Sequence, residues 1–182
     1  EEFMARQAKV GVLGASGYTG SELVRLLLRH PQVEIALLTA DRRAGQAMRD
    51  VFPQFSPFAL PTLVSIDGVD WKAAALDLVF CALPLATTQK VIAALLAAAP
   101  ATKVVDLSAD FRLADTNAYA RWYGGEHSAP HLQTEAVYGL VEVYRDEIKK
   151  ARLVANPGCY TTCAQLPLIP LIRKGVIALD DI

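Results

Sequence analysis

The sequence predicts an α/β fold in which helices cover both faces of a mostly parallel sheet. Two observations support this fold class. Apolar runs of strand length alternate along the chain with segments whose apolar residues have helical spacing. The run at residues 76–83 is also nearly continuous in apolar side chains, which is typical of a parallel strand buried on both faces. A chain of 182 residues, 53% of them hydrophobic, is long enough for one well-buried domain and the start of another.

The predicted elements follow one another in the order expected for this fold. Strands are predicted at residues 9–13, 33–39, 62–66, 76–83, 103–107 and 152–155, and helices at 21–29, 87–99 and from Tyr160 onward. We expect right-handed crossovers between these strands. Residues 114–150 have a less regular pattern and carry most of the aromatic side chains, so we expect them to wrap the edge of the sheet.

Charge and composition argue against several classes of function. The net charge is −1 and no basic cluster is long enough to follow a phosphate backbone, so we expect no nucleic-acid partner. The apolar run at 91–101 is too short to span a bilayer, so we expect no membrane association. Three cysteines show no disulfide framework, which fits a reducing compartment. His127 and His131 lack a third ligand nearby, so we expect a solvated loop there and no metal site.

Three glycines lie between the first predicted strand and the first predicted helix. Gly14, Gly17 and Gly20 are spaced three apart, which lets the backbone turn sharply and lets a pyrophosphate approach the amides at the helix N-terminus. The spacing differs from the commoner G-x-G-x-x-G, and a plain tight turn is the alternative. The position after a first strand favours dinucleotide binding, and with it a Rossmann-type, doubly wound sheet.

The candidate cofactor ligands extend beyond the glycines to the loops after the next strands. They are Gly14, Ser16, Gly17, Tyr18, Thr19, Gly20, Thr39, Arg42, Arg43 and Pro84. In the loop after the second strand, Asp41 could accept from the adenosine ribose of NAD, whereas Arg42 and Arg43 could bind the 2′-phosphate of NADP. An ordinary polar loop is the alternative for these three residues.

Near the other end of the chain, Cys159 lies where a strand gives way to a helix. Pro157 and Gly158 end the apolar run 151–155, and the residues after Cys159 can open a helix. Amides at a helix N-terminus favour the thiolate, which is the reacting form of cysteine. The sequence therefore predicts a nucleophile at Cys159, with a buried cysteine in a tight turn as the alternative.

Ser108, Arg112 and Asn156 are the candidate residues for substrate binding. Ser108 and Arg112 follow the strand at 103–107, where parallel sheets place their ligands, and could bind anionic groups. The alternative for Arg112 is an ion pair with Asp106 or Asp110.

Four motifs together resemble those of one enzyme family. The segments 14–20, 106–112, 137–140 and 156–160 occur in the order found in N-acetyl-gamma-glutamyl-phosphate reductases, and residues 39–48 are most similar to the plant-type members. The similarity runs from about residue 9 to the last residue and corresponds to the N-terminal part of that family.

The resemblance implies an NADPH-dependent reduction of N-acetyl-glutamyl 5-phosphate to N-acetyl-glutamate 5-semialdehyde through a thioester on Cys159, a step of arginine biosynthesis. It implies NADP(H) as cofactor, a small acyl phosphate as substrate and a homo-oligomer at full length. The expected location is the chloroplast stroma in a plant or alga, and otherwise the cytoplasm.

The sequence departs from the family pattern at two positions. Many members have Pro-His-Gly where this chain has Pro84-Leu85-Ala86, and commonly proline where this chain has Thr161. The family's acid/base histidine and most of its substrate domain lie in a second half that this sequence does not contain, so we expect the chain to be inactive by itself. The alternatives are aspartate-semialdehyde dehydrogenase, the acyl-phosphate reductase of lysine biosynthesis, and a non-catalytic nucleotide-binding module.

The predicted organisation has three parts. Residues 1–8 are expected to be a disordered remnant of recombinant expression, since Glu1-Glu2-Phe3 precede Met4. Residues 9–155 are expected to form an NADP-binding domain. Residues 156–182 are expected to begin a truncated catalytic domain.

Overall fold

The computed structural model describes residues 6–180. Its centre is a six-stranded sheet in which every pairing is parallel, in the strand order β2-β1-β3-β4-β6-β5. The strands are β1 (Ala8–Leu13), β2 (Val33–Leu38), β3 (Leu78–Cys81), β4 (Lys103–Asp106), β5 (Val137–Tyr138) and β6 (Leu153–Ala155). The predicted α/β fold with a parallel sheet is confirmed.

Helices connect the strands. They are α1 (Tyr18–Leu27), α2 (Met48–Val51), α3 (Trp71–Ala74), α4 (Thr88–Ala98), α5 (Thr116–Tyr123), α6 (Pro130–Gln133), α7 (Val141–Lys150) and α8 (Cys159–Arg173). Helix α1 begins three residues before the predicted Ser21 because Gly17 serves as its N-cap residue in an extended conformation. Within residues 6–180, no helix has both the length and the apolar character needed to cross a membrane.

The sheet buries a core on each of its two faces. Along β1, Val12 packs in a cluster with Val24 of α1, whereas the next residue, Leu13, packs in a second cluster with Ile92 of α4. Since neighbouring side chains of a strand point to opposite faces, α1 and α4 cover opposite sides of the sheet. Helices on both faces are therefore confirmed.

Two predicted elements differ from the structure. The strand expected at 62–66 is reduced to a single bridge between Val64 and Thr39, because Leu63 bonds to the loop after β2 and Ser65 accepts from the Gly68 amide in a turn. The segment 114–150 was predicted to wrap the sheet edge. It contributes α5, α6 and α7, and also the edge strand β5, which at two residues is too short to show a pattern in the sequence.

The ends of the chain bear on the predicted organisation. Of the expected disordered residues 1–8, residues 1–5 lie outside the described residues, as do 181–182 at the other end. Ala8 already belongs to β1, one residue before the predicted strand. Arg6 donates from Nη2 to the Asp77 carboxylate at 3.0 Å, at the edge where the strands begin.

The order of the strands creates a crevice at one point of the sheet. The chain passes from β1 to β2 on one side and later returns to β3 on the other side of β1. Ligands of open parallel sheets bind outside the carboxyl ends of the strands at such a switch point. The glycine turn follows β1, residues 82–87 follow β3, and Asn156 follows β6, so all three reach this same edge.

Candidate functional site

The three glycines of the turn have different reasons to lack a side chain. Gly14 has φ +75°, and a Cβ there would lie 2.4 Å from the carbonyl oxygen of Ala82. A Cβ on Gly20 would lie 2.3 Å from the carbonyl oxygen of Gly14, so this glycine lets α1 pack onto the turn. A Cβ on Gly17 would meet only the Gly14 oxygen, at 3.4 Å. The fold therefore needs Gly14 and Gly20, whereas Gly17 leaves an open space beside the helix.

The N-terminus of α1 opens onto that space. Gly17 provides no side-chain cap, and Tyr18 and Thr19 of the first turn are exposed. The first amides of a helix have no intrahelical partner and carry a partial positive charge. An anion placed against Gly17 would meet these amides, so the residues present fit a dinucleotide pyrophosphate.

A cleft of about 460 Å³ runs from the glycine turn along the carboxyl edge of the sheet. It is lined by Gly14, Ser16, Gly17, Thr39, Ala40, Asp41, Ser65, Ile66, Asp67, Ala82, Leu83, Pro84 and Thr87. Five of the ten predicted cofactor residues thus line one cleft. Thr39 also has a structural role, because its buried hydroxyl accepts a hydrogen bond from the Gly14 amide at 3.2 Å.

The lining beyond Thr39 is acidic. Asp41 and Asp67 both line the cleft and are exposed, whereas Arg42 and Arg43 are exposed residues outside the lining. Arg43 donates to the side chain of Gln46 at 3.4 Å. Asp67 is a lining residue that we did not predict from the sequence, although its place just after the predicted strand 62–66 was a signal that it would reach this edge.

The loop after β3 forms one wall of the cleft with an unusual backbone. Ala86 has φ +65°, a left-handed conformation that favours glycine, and it is the position at which many members of the resembling family have glycine. The amide of Ala86 donates to the buried carboxylate of Asp110 at 3.0 Å. This bond holds the loop that carries Pro84 in place.

Cys159 is the first residue of α8, and its side chain is exposed in the part of the chain that the structure describes. Gly158 precedes it as an extended N-cap residue. The amide of Asn156 donates to the carbonyl of Asp106 at 2.8 Å, so the turn continues directly from the β4–β6 pairing. Cys159 therefore lies at the N-terminus of a helix and is accessible to solvent. Cys81 is buried in β3 and Cys163 is exposed.

Arg112 holds the turn before Cys159 in place through hydrogen bonds to two backbone carbonyls. Its Nε donates to the carbonyl of Asn156 at 2.8 Å and its Nη2 to the carbonyl of Leu107 at 3.0 Å. The ion pair with Asp106 or Asp110 that was the alternative is not among the salt bridges of the described residues. Arg112 thus joins the ends of β4 and β6.

The prediction that Ser108 binds an anionic group of the substrate is corrected by its surroundings. Ser108 is only 8% exposed. Its Oγ lies 2.7 Å from Asp106 Oδ2 and 2.8 Å from Thr88 Oγ1, and it accepts from the Asp110 amide at 3.1 Å. The hydroxyl is therefore fully engaged inside the protein. Burial raises the pKa of Asp106 to about 6, against the opposing effect of the hydrogen bonds from Ser108.

His127 is likewise buried, which corrects the expected solvated loop. Its Nε2 lies 2.9 Å from the carbonyl oxygen of Asp110, and its Nδ1 accepts from the Ala129 amide at 3.1 Å. Burial lowers the pKa of this imidazole, so the ring is neutral near pH 7. Both nitrogens are used in holding the fold. Among the described residues, no group of three or more His, Cys, Asp or Glu side chains could hold a metal ion.

The two halves of the site lie close to each other. Adjacent strands are about 4.8 Å apart, so the ends of β3 and β6, two strands apart, are separated by about 10 Å. The loop with Pro84 and the turn with Cys159 therefore follow strand ends at the same edge of the sheet.

Comparisons with known proteins agree with this geometry. The chain is 73% identical over 179 residues to an N-acetyl-gamma-glutamyl-phosphate reductase of Afipia carboxidovorans, covering 98% of this chain and 51% of that protein. It is 53% identical to a probable chloroplastic reductase of the same name from Arabidopsis thaliana, covering 97% of this chain and 43% of that protein. The resemblance drawn from the four motifs is confirmed.

The fold is also found in solved structures. An aspartate semialdehyde dehydrogenase from Candida albicans, solved with NADP, has a TM-score of 0.63 at 20% identity over 92% of this chain and 47% of that one. The chain spans about half the length of the curated relatives it matches. The model of the family described as semialdehyde dehydrogenase, NAD binding domain, matches residues 9–151. This chain therefore belongs to the semialdehyde dehydrogenase NAD-binding domain family.

Proposed function

We propose that this chain is the cofactor-binding part, with the nucleophile, of an N-acetyl-gamma-glutamyl-phosphate reductase. The proposal is supported by two features that lie at the same edge of the sheet. One is a cleft lined by Gly17, and the other is an exposed cysteine at the N-terminus of α8. The names of relatives at 73% and 57% identity favour this activity over the aspartate enzyme, whose 20% identity supports only the fold.

The glycine turn would hold the cofactor. The first amides of α1 would meet the pyrophosphate across Gly17, and Pro84 would support the nicotinamide from the loop after β3. Bound NADPH supplies a hydride, a proton with two electrons, to the carbon that Cys159 holds.

Cys159 would form the covalent bond to the substrate. Its thiolate attacks the acyl carbon of N-acetyl-glutamyl 5-phosphate, the carbon–oxygen bond to phosphate breaks, and phosphate leaves with that electron pair. The resulting thioester accepts a hydride more readily than an oxygen ester does. After reduction, the carbon–sulfur bond breaks, and the aldehyde and the Cys159 thiolate separate.

The cofactor we propose is NADP(H). Its 2′-phosphate would meet Arg42 or Arg43 at the rim beside Asp41, and Asp41 would have to turn away, because a carboxylate repels a phosphate. All three side chains are exposed, so these movements meet no packing barrier.

In a protein as long as the relatives, residues outside this chain would supply the acid/base group of the proposed reaction. His127 has both ring nitrogens in internal hydrogen bonds and cannot serve as the acid/base group, so that group would come from the other half. We also propose that the full-length protein is a homo-oligomer and that its substrate is a small acyl phosphate. Its location would be the chloroplast stroma in a plant or alga, and otherwise the cytoplasm.

The test uses a full-length protein that contains this sequence. Incubated with N-acetyl-glutamyl 5-phosphate and no NADPH, it should gain an acyl group on the peptide that carries Cys159, as mass spectrometry would show. NADPH should then release the semialdehyde. Cys159→Ser should lose both results, whereas Cys163→Ser, the matched control one helical turn further on, should keep them. Turnover by Cys159→Ser would refute the proposal.

A further inference from the structure

Two carboxyl groups are completely buried between the cleft wall and the cysteine turn. Asp106 at the end of β4 and Asp110 in the following loop are each 0% exposed. Two hydroxyl groups lie between them, those of Ser108 and Thr88, both of which are buried. The four side chains form a row of oxygens that neither the cofactor nor the substrate touches in the proposed reaction.

The row contains three oxygen–oxygen contacts. Asp106 Oδ2 lies 2.7 Å from Ser108 Oγ, and Ser108 Oγ lies 2.8 Å from Thr88 Oγ1. Thr88 Oγ1 in turn contacts Asp110 Oδ2 at hydrogen-bond distance. Two ionised carboxylates contribute no hydrogen, so the two hydroxyls can fill only two of the three contacts. A buried contact between two acceptors is unfavourable, and one additional proton removes it.

The surrounding donors show which carboxyl takes that proton. Asp110 also accepts the Ala86 amide at 3.0 Å and the Tyr119 hydroxyl at 2.7 Å, both on Oδ1, so three donors stabilise its anion. Outside the row, Asp106 has one recorded donor, the Ser108 amide at 2.9 Å. With the proton on Asp106, every bond in the row runs in one direction, from Asp106 through Ser108 and Thr88 to Asp110.

We propose that Asp106 and Asp110 hold one proton between them, carried on Asp106, and that the completed row of hydrogen bonds positions the 84–87 loop against the cleft. The loop is held because Asp110 accepts both from the Ala86 amide and from Thr88, the first residue of α4. The proposal rests on the proposed function in one respect, that the cleft binds a nicotinamide dinucleotide. The raised pKa of Asp106 agrees with it.

The other titratable groups around the pair leave this assignment in place. Cys81 lies beside Asp106 in the β3–β4 pairing, and burial raises the pKa of its thiol, so it is neutral. Tyr119 is neutral because burial and the Asp110 carboxylate raise its pKa, and His127 is neutral because burial lowers its pKa. Arg112 is the nearby cation, and its hydrogen bonds go to backbone carbonyls.

Two variants distinguish the carboxyl groups. Asp106→Asn places an NH₂ donor where the proton is proposed, so the row stays complete. Asp110→Leu has no acceptor, so the Ala86 amide, the Tyr119 hydroxyl and the Thr88 hydroxyl all lose their partner. We expect Asp106→Asn to keep the NADPH dissociation constant within about twofold of the unchanged chain. Asp110→Leu should raise it by about tenfold or more. Equal weakening by both variants would overturn the proposal.

A pH profile separates positioning from simple packing. As pH rises above about 6, the unchanged chain loses the proton and its NADPH affinity should fall relative to that of Asp106→Asn, whose amide does not titrate. The cofactor's own titration cancels in this comparison. Identical profiles for the two proteins would contradict the shared proton.

Infrared difference spectra test the proton without any cofactor. At about pH 5, the unchanged chain should show the carbonyl absorption of a buried protonated carboxyl group, which Asp106→Asn should lack and Thr88→Val should shift. Its absence from the unchanged chain would overturn the proposal even if Asp110→Leu fails to fold. If the unchanged chain binds no dinucleotide, the proposed function fails, while the infrared result still decides the proton.

Discussion

The guanidinium of Arg112 lies against Gly158, with Nη1 2.9 Å from the point that a Cβ on that glycine would occupy. This packing places a permanent cation one residue before the thiol of Cys159. It also means that Gly158 and Arg112 depend on each other, since a larger residue at 158 would displace the arginine.

Removal of the Arg112 side chain should loosen the cysteine turn. Arg112→Ala loses two hydrogen bonds from a charged donor, so we expect the unfolding free energy to fall by about 2–3 kcal/mol. Arg112→Lys can reach only one of the two carbonyls and should recover part of this loss. Thermal and urea unfolding measure both variants. If Arg112→Ala is as stable as the unchanged chain, the two hydrogen bonds of Arg112 do not stabilise the fold.

The glycines of the turn should separate cofactor binding from stability. Gly17→Val should abolish NADPH binding with little effect on unfolding, because its side chain would fill the space beside the α1 amides. Gly20→Ala should destabilise the fold by about 1–3 kcal/mol, since its Cβ would overlap the Gly14 carbonyl. Calorimetric titration and thermal unfolding check the pair. Unaltered NADPH affinity in Gly17→Val would place the cofactor elsewhere.

The three cysteines should differ in their reaction with iodoacetamide at pH 7. Cys159 should react fastest, because the amides at the N-terminus of α8 stabilise the anion. Cys163 is exposed but lies one turn into the helix, so it should react more slowly. Buried Cys81 should react only after unfolding. Peptide mass spectrometry over time gives the three rates, and a faster Cys163 would remove the electrostatic reason for assigning the nucleophile to Cys159.

Cofactor preference should depend on the loop after β2. If Arg42 or Arg43 binds the 2′-phosphate, the double change to alanine should remove about 1–3 kcal/mol of the preference for NADPH over NADH. Asp41→Asn is the matched change on the cleft side and should increase that preference, because it removes a repelling charge. Equal affinity of the unchanged chain for both cofactors would restore Asp41 as the ribose ligand.

Asp106 should make stability depend on pH in the direction opposite to that of an aspartate whose pKa is lowered by folding. Burial raises the pKa of Asp106 from its ordinary range near 4 to about 6 in the folded state. The folded state therefore binds the proton more tightly, so the contribution is fully present below about pH 4 and is lost as pH rises through about 6. Two pKa units correspond to about 3 kcal/mol. Urea unfolding of the unchanged chain and Asp106→Asn from pH 4 to 7 measures the difference, which should be constant if Asp106 is ionised throughout.

Elements with a strong local pattern could be predicted from the sequence, and elements held by distant contacts could not. The strand at 103–107 and the glycine turn have local signals, and the structure places them close to the predicted residues. The edge strand β5 has only two residues and exists because β6 lies beside it. No local pattern can show such a pairing, since it depends on residues far apart in the sequence.

The candidate site shows the same division. Residue type and position after a strand were enough to single out Cys159 and Gly17. Ser108 was assigned to the substrate because its burial is not visible in the sequence: Asp106 is a local partner, two residues away, but Thr88 meets Ser108 only when α4 packs onto the sheet. The side chain of Arg112 could have paired with a carboxylate nearby in the sequence, but in the folded chain it donates to two backbone carbonyls.

The parallel direction of all six strands determines where a dye or spin label can be attached to this protein. The proposed chemistry is confined to the edge where the strands end. The turns at the edge where the strands begin can therefore carry a label that does not contact the cofactor or the substrate. Ala101 is exposed in the turn just before β4 and is a suitable attachment point. The signal of a label at Ala101 should change when the protein unfolds and should not change when the cofactor binds. The signal of a second label, at Leu85, should change on cofactor binding.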